Sequence, residues 1–152
     1  MIRLAFTRVW RPRKGQRVNL QEVEDSLRDV HARFDLQALN YDPWEARHLA
    51  SRLQAGGVSV YRSQLGKRAG TSRVPMIEIT ATPKNLQQIA TVLIEAFNDR
   101  RLELYDDSDL RRDVTRFRVE ERQYGFRLTS PRDEHGHGDL GTAFSLAMLA
   151  AS

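Results

Sequence analysis

The sequence predicts a mixed α/β domain, and three observations carry that expectation. Short apolar or alternating stretches of strand length are followed repeatedly by amphipathic stretches at helical spacing, the connections are short, and a proline or capping side chain marks most helix starts. The sharpest junction is Leu36-Gln37-Ala38-Leu39-Asn40-Tyr41-Asp42-Pro43-Trp44, where an apolar run ends in a carboxylate and a proline opens a helix. Open α/β sheets place their ligands at the carboxyl ends of their strands, so Asp42 is a candidate site residue by position.

Residues 3–10 alternate, with Leu4 and Phe6 on one face and Ala5, Thr7 and Val9 on the other, the period-2 pattern of a strand. The basic stretch Arg11-Pro12-Arg13-Lys14-Gly15-Gln16-Arg17 reads as a turn. Asn19 followed by Glu22 makes a capping box, and Leu20, Val23, Leu27, Val30 and Phe34 recur at helical spacing over residues 19–34. Residues 36–41 are mostly apolar and predict an interior strand. Asp42 as cap, Pro43 in the first helical position and Glu45 after it open a helix that runs through Leu49 and Leu53 to a Gly56-Gly57 stop. Residues 58–61 read as a short strand, and strand, helix, strand with short connections is a parallel βαβ unit.

Residues 64–73 combine Gly66 and Gly70 with Lys67, Arg68 and Arg73, an exposed basic loop or hairpin tip. Residues 74–80 predict a strand, and Thr82-Pro83 opens a helix with Leu86, Ile89, Ala90, Leu93, Ile94 and Phe97 on one face. A short strand over 102–104 and a short helix over 107–117 follow, then a hairpin or long bent strand over 118–129. Residues 130–138 are loop-like and end at Asp139, expected to cap a last apolar helix through Leu140, Phe144, Met148 and Ala151. With no internal repeat and no linker-like stretch, residues 1–152 are expected to form a single domain.

A chain of 152 residues can bury roughly 70% of the surface its unfolded form exposes, so it needs no covalent staple. No apolar run approaches the ~18 residues of a membrane span, so no membrane partner is expected. The first residues alternate charged and apolar side chains without the continuous apolar core of a secretory signal, so a cytoplasmic location is expected. The chain has no cysteine, which excludes disulfides and thiolate metal sites and leaves carboxylates and four histidines as side-chain ligands. The net charge is +4, and only Lys14, Lys67 and Lys84 among the 24 cations are lysines. Arginine suits bidentate phosphate contacts, although a codon bias of the genome produces the same excess. Arg11, Arg13 and Lys14, and separately Lys67, Arg68 and Arg73, are accordingly either contacts to DNA phosphates or exposed loop charges.

Asp42 and Asp139 each stand at a predicted helix start. Carboxylates projecting from strand ends and a nearby helix can hold two divalent ions that activate water and stabilise a leaving oxygen, and hard oxygen ligands select Mg²⁺ or Mn²⁺. Both residues also suit a helix N-cap, a role that stabilises by about 1 kcal/mol without catalysis. His135 and His137 flank Gly136 just before Asp139, where they could contact phosphate, be solvated, or ligate a transition metal. Asp106, Asp107, Asp109 and Asp113 crowd one helix and read as a solvated, dipole-stabilising face. Trp10 and Trp44 read as core or interface anchors. No G-x-x-x-x-G-K-[ST] loop and no G-x-S-x-G elbow is present, which argues against an ATPase or a serine hydrolase.

An ordered run of motifs resembles the C-terminal nuclease domain of the large terminase subunit of tailed bacteriophages. It comprises Arg8-Val9-Trp10-Arg11-Pro12, Ala38-Leu39-Asn40-Tyr41-Asp42-Pro43-Trp44-Glu45-Ala46, Leu53-Gln54-Ala55-Gly56-Gly57, Thr82-Pro83-Lys84-Asn85-Leu86, Asn98-Asp99-Arg100-Arg101-Leu102, and Asp139 before Ala143-Phe144-Ser145-Leu146-Ala147-Met148. The resemblance implies a ribonuclease-H-like mixed sheet flanked by helices, and Mg²⁺- or Mn²⁺-dependent cleavage of double-stranded DNA during genome packaging. It makes Asp42 the family's second catalytic aspartate and Asp139 the late one. Such domains begin with a strand that ends in a first catalytic aspartate, whereas this chain starts at what reads as the third strand. Asp25, Asp29 and Asp35 belong to the first helix or its end and cannot replace that residue. The expectation is therefore an N-terminally truncated domain, completed by upstream codons, another terminase fragment or a packaging protein, or else an inactive prophage remnant that binds DNA or a partner chain, or else an unrelated α/β protein in which both aspartates only cap helices.

Overall fold

A computed structural model describes residues 1–55, 73–123, 125–131 and 138–152. The strand expected over 58–61, most of the basic loop over 64–73, and the His135/His137 segment lie outside the described residues. Those described form β1 (Ile2–Arg3), α1 (Leu20–Phe34), β2 (Leu39–Tyr41), α2 (Pro43–Ala55), β3 (Met76–Glu78), α3 (Pro83–Asn98), β4 (Leu102–Glu103), α4 (Ser108–Thr115), β5 (Arg118–Arg122), β6 (Gly125–Thr129) and α5 (Asp139–Ala151). The architecture is mixed α/β, with the strands paired two by two among the described residues: β1 with β4, β2 with β3, and β5 with β6. The chain divides into two compact units, Val9–Glu78 and a second made of Met1–Arg8 with Ile79–Ser152.

In the Val9–Glu78 unit the basic turn closes through the Gln16 N–H donating to the Arg13 carbonyl at 2.9 Å. Gly15 occupies the third position with φ +76°, a conformation a side chain would oppose. Asn19 caps α1, its Oδ1 accepting the Gln21 N–H at 3.0 Å. The expected apolar stripe is not what α1 buries most deeply. Leu20 and Phe34 are exposed, whereas Glu24 and Arg28 are buried. Arg28 meets Glu24 at 3.0 Å and donates to the Arg52 carbonyl at 2.8 Å, and Arg52 reaches the other Glu24 oxygen at 2.8 Å. Two guanidiniums around one carboxylate let Glu24 and Arg28 leave water, which neither could do unpaired, while Arg52 stays half-exposed.

Strands β2 and β3 run parallel, with Leu39 beside Met76, Asn40 beside Ile77 and Tyr41 beside Glu78. Helix α2 connects to this pair and packs on β3 and α1, burying Ala50 and Leu53 near Val74. Among the described residues the parallel partner of β2 is β3; the strand expected over 58–61 to close the βαβ unit lies outside them. β2 is half-buried rather than interior.

In the other unit β1 pairs parallel with β4, Ile2 beside Leu102. The strand expected over 3–10 leaves the ladder early, and Thr7 is held by its side chain instead. Its hydroxyl donates to Asp107 at 2.7 Å and lies 2.6 Å from the Tyr105 hydroxyl. Thr82 caps α3 through the Asn85 N–H, and Pro83 follows in the first turn. Leu93 and Ala96 of α3, Leu110 of α4, and Phe144 and Met148 of α5 form the core of this unit. The 118–129 segment is an antiparallel hairpin whose β6 packs on α3. No described helix is long and apolar enough to cross a membrane.

Candidate functional site

Asp42 follows β2 directly, is exposed, and accepts the Trp44 N–H on Oδ1 at 2.9 Å. One carboxylate oxygen thus holds the start of α2, the capping role open to it from sequence. The parallel register adds a residue that sequence reasoning missed. Because Tyr41 lies beside Glu78, the carboxyl ends of two adjacent strands carry Asp42 and Glu78. The Tyr41 hydroxyl donates to Glu78 at 3.4 Å, and Arg47 of α2 meets the other Glu78 oxygen at 3.4 Å. Burial raises the Tyr41 phenol above its ordinary value first, the Glu78 charge and hydrogen bond add to it, and Arg47 opposes them. Only the pairing of strands more than thirty residues apart reveals Glu78; within its own stretch it is one acid in an otherwise apolar strand.

Asp139 lies in the other unit, exposed in the first turn of α5. It is not the cap of that helix, as its position suggested. Gly138, at φ +70°, occupies the cap position without a side-chain bond. The carboxylate that does cap is Asp113 of α4, which is buried and accepts the Gly141 N–H at 3.0 Å. A Cβ at Gly141 would sit 3.1 Å from the Asp113 Cβ and 3.0 Å from Phe117, so glycine permits the close approach.

The acidic run at α4 is therefore not a uniform solvated face. Asp107 caps α4 through the Leu110 N–H at 2.9 Å. That bond leads in holding the Asp107 carboxyl below the usual aspartate range, with the Thr7 hydroxyl adding to it.

Asp42 and Glu78 are hard oxygen donors of the kind Mg²⁺ and Mn²⁺ prefer. Among the described residues, however, no group of three or more histidine, aspartate or glutamate side chains gathers around a point that could hold a metal ion. The described donors match such an ion in kind and fall short of a two-metal cage in number.

Arg11, Arg13 and Lys14 are exposed around the 13–16 turn, and Arg73 is exposed before β3. Lys67, Arg68, His135 and His137 are outside the described residues. The charge is unevenly shared: Val9–Glu78 holds twelve basic and eight acidic residues, whereas the other unit holds twelve of each. The whole net charge of +4 thus belongs to the unit that carries Asp42 and the basic turn. Trp44, expected to be a core or interface anchor, is 87% exposed beside Asp42. Comparison with known proteins finds no matching family model, no matching curated protein and no matching solved structure.

Proposed function

We propose that this chain is a nuclease-like domain of the phage terminase large-subunit type, acting on double-stranded DNA in the cytoplasm of a bacterial host during genome packaging. The observation that carries the reading is the pair Asp42 and Glu78 at the carboxyl ends of adjacent parallel strands, where α/β proteins bind their ligands. The net positive charge of the same unit suits a polyanionic substrate. The reading assigns the chain a ribonuclease-H-like mixed sheet, with Asp42 and Asp139 as carboxylates for Mg²⁺ or Mn²⁺. The chain's partners on this reading are double-stranded DNA and another terminase fragment or packaging protein. A second reading, supported by the charge partition alone, is an inactive remnant that binds DNA or a partner chain without cutting.

The test is incubation of the purified chain with supercoiled plasmid and Mn²⁺, beside Asp42→Ala, Glu78→Gln and Asp139→Ala. Nicking or linearisation abolished by Asp42→Ala and Asp139→Ala supports the nuclease; cleavage that survives both refutes it. Retardation of DNA without cleavage, weakening steeply between 50 and 200 mM salt by an order of magnitude or more, supports the binding remnant.

A further inference from the structure

Between the first turns of α3 and the β5–β6 hairpin lies a cleft of about 400 Å³, a size that suits a small organic ligand. Its apolar walls are Pro83 and Leu86 from the helix and Phe126 from β6. Gln87, Arg122, Gln123, Gly125 and Arg127 complete its lining, and no carboxylate is among the described residues that line it.

The two arginines share one acid. Glu120 accepts from Arg122 Nη2 at 2.6 Å and from Arg127 Nε and Nη2 at 3.3 Å. Each guanidinium carries five N–H donors in a rigid fork, so this sharing leaves donors for a second anion and a net positive charge of one beside the cleft. Gly125 sets the position of one amide. It stands at φ +124°, and a Cβ there would fall 2.4 Å from Gln87 Oε1, so the bare backbone lies against the Gln87 amide.

The geometry points to a binding pocket for a nucleoside monophosphate unit in this cleft. The base packs on Phe126, Leu86 and Pro83, its edge meets the Gln87 and Gln123 amides, and the phosphate takes the open donors of Arg122 and Arg127. Glutamine amides offer both a donor and an acceptor to a base edge, and arginine presents paired donors to phosphate oxygens. The pocket involves neither Asp42 nor a metal, so it goes beyond the nuclease reading. The unit can arrive as a free nucleotide or as an unpaired nucleotide of a DNA strand.

The experiment follows backbone amide resonances of the isotope-labelled full chain during titration with deoxyadenosine monophosphate, deoxyadenosine, inorganic phosphate and a single-stranded deoxyadenosine decamer. The monophosphate is expected to shift amides of residues 84–87, 122, 123 and 125–127 saturably, with deoxyadenosine and phosphate each binding about tenfold or more weakly. Arg127→Gln is expected to raise the Kd about tenfold, whereas Arg118→Gln, at the opposite end of β5, leaves it unchanged. Circular dichroism of both variants establishes that loss of binding is not loss of fold.

Competition of the decamer with the monophosphate assigns the pocket to nucleotides within a strand, and saturable binding of the monophosphate alone assigns it to the free nucleotide. Phosphate binding as tightly as the nucleotide, shifts centred elsewhere, or an unchanged Kd in Arg127→Gln each overturn the assignment. Because the readout is binding without Mn²⁺, it stands or falls separately from plasmid cleavage.

Discussion

Replacing Asp113 by alanine removes a buried carboxylate that caps a helix from a neighbouring element. Asp113 is 5% exposed, and the bond it accepts from the Gly141 N–H is 3.0 Å long. A hydrogen bond to a charged group contributes about 1.5–3 kcal/mol, and stranding the buried N–H raises the loss, so Asp113→Ala should cost about 2–3 kcal/mol. Arg112 also loses a partner at 3.3 Å but keeps Asp109 at 3.0 Å, so that ion pair adds little. Asp113→Asn retains an oxygen acceptor of the same shape and should cost about 1 kcal/mol. Asp139→Ala, at an exposed residue that makes no capping bond, should lose no more than the dipole contribution of about 0.3–1 kcal/mol. Urea denaturation followed by circular dichroism measures all three as shifts in midpoint at constant m-value. An Asp139→Ala protein as destabilised as Asp113→Ala would refute the assignment of the cap, as would equal losses in the alanine and asparagine variants. This order of stabilities also matters for the cleavage assay, because an Asp139→Ala protein that keeps its fold reports on chemistry alone.

Two further perturbations test the structure. Arg28→Ala should destabilise the Val9–Glu78 unit by about 3 kcal/mol, the low end for breaking a buried ion pair, because Arg52 still reaches Glu24 at 2.8 Å; a loss below about 1 kcal/mol in denaturant or amide exchange would show that the cluster is not buried as described. Asp107, whose carboxyl is held below its ordinary value, contributes stability that is complete above the unfolded aspartate pKa of about 3.9 and is lost as pH falls through the lower folded value. Thr7→Val, which removes one of its donors, should move the Asp107 carboxyl titration upward toward the ordinary value, read from its carbon resonance; an unmoved titration would contradict the Thr7 contact.

Much of the fold was legible because helix starts are local chemistry. The Asn19 cap, the Thr82-Pro83 start and the Pro43 opening each depend on side chains within a few residues of the backbone they hold, and each helix stands where its signal placed it. The hairpin over 118–129 was half-legible: the strand character was evident, and the antiparallel pairing decided between a hairpin and one bent strand. Asp139 was placed at a helix start correctly and its capping role incorrectly, because the carboxylate that caps comes from 28 residues away.

The sequence by itself determined the α/β alternation, the absence of cysteine chemistry, the arginine-rich charge and the place of Asp42 after a strand. Tertiary structure alone decided which strands pair, and so which second carboxylate stands beside Asp42's strand. It decided that Glu24 and Arg28 go inside while Leu20 and Phe34 stay out: the two pair with each other along α1, and α2 brings the Arg52 guanidinium to the carboxylate and the Arg52 carbonyl to Arg28. It also formed the cleft between α3 and the hairpin, whose arginines and glutamines are ordinary surface residues in the sequence and become a site only when Gly125 lets the hairpin close on Gln87.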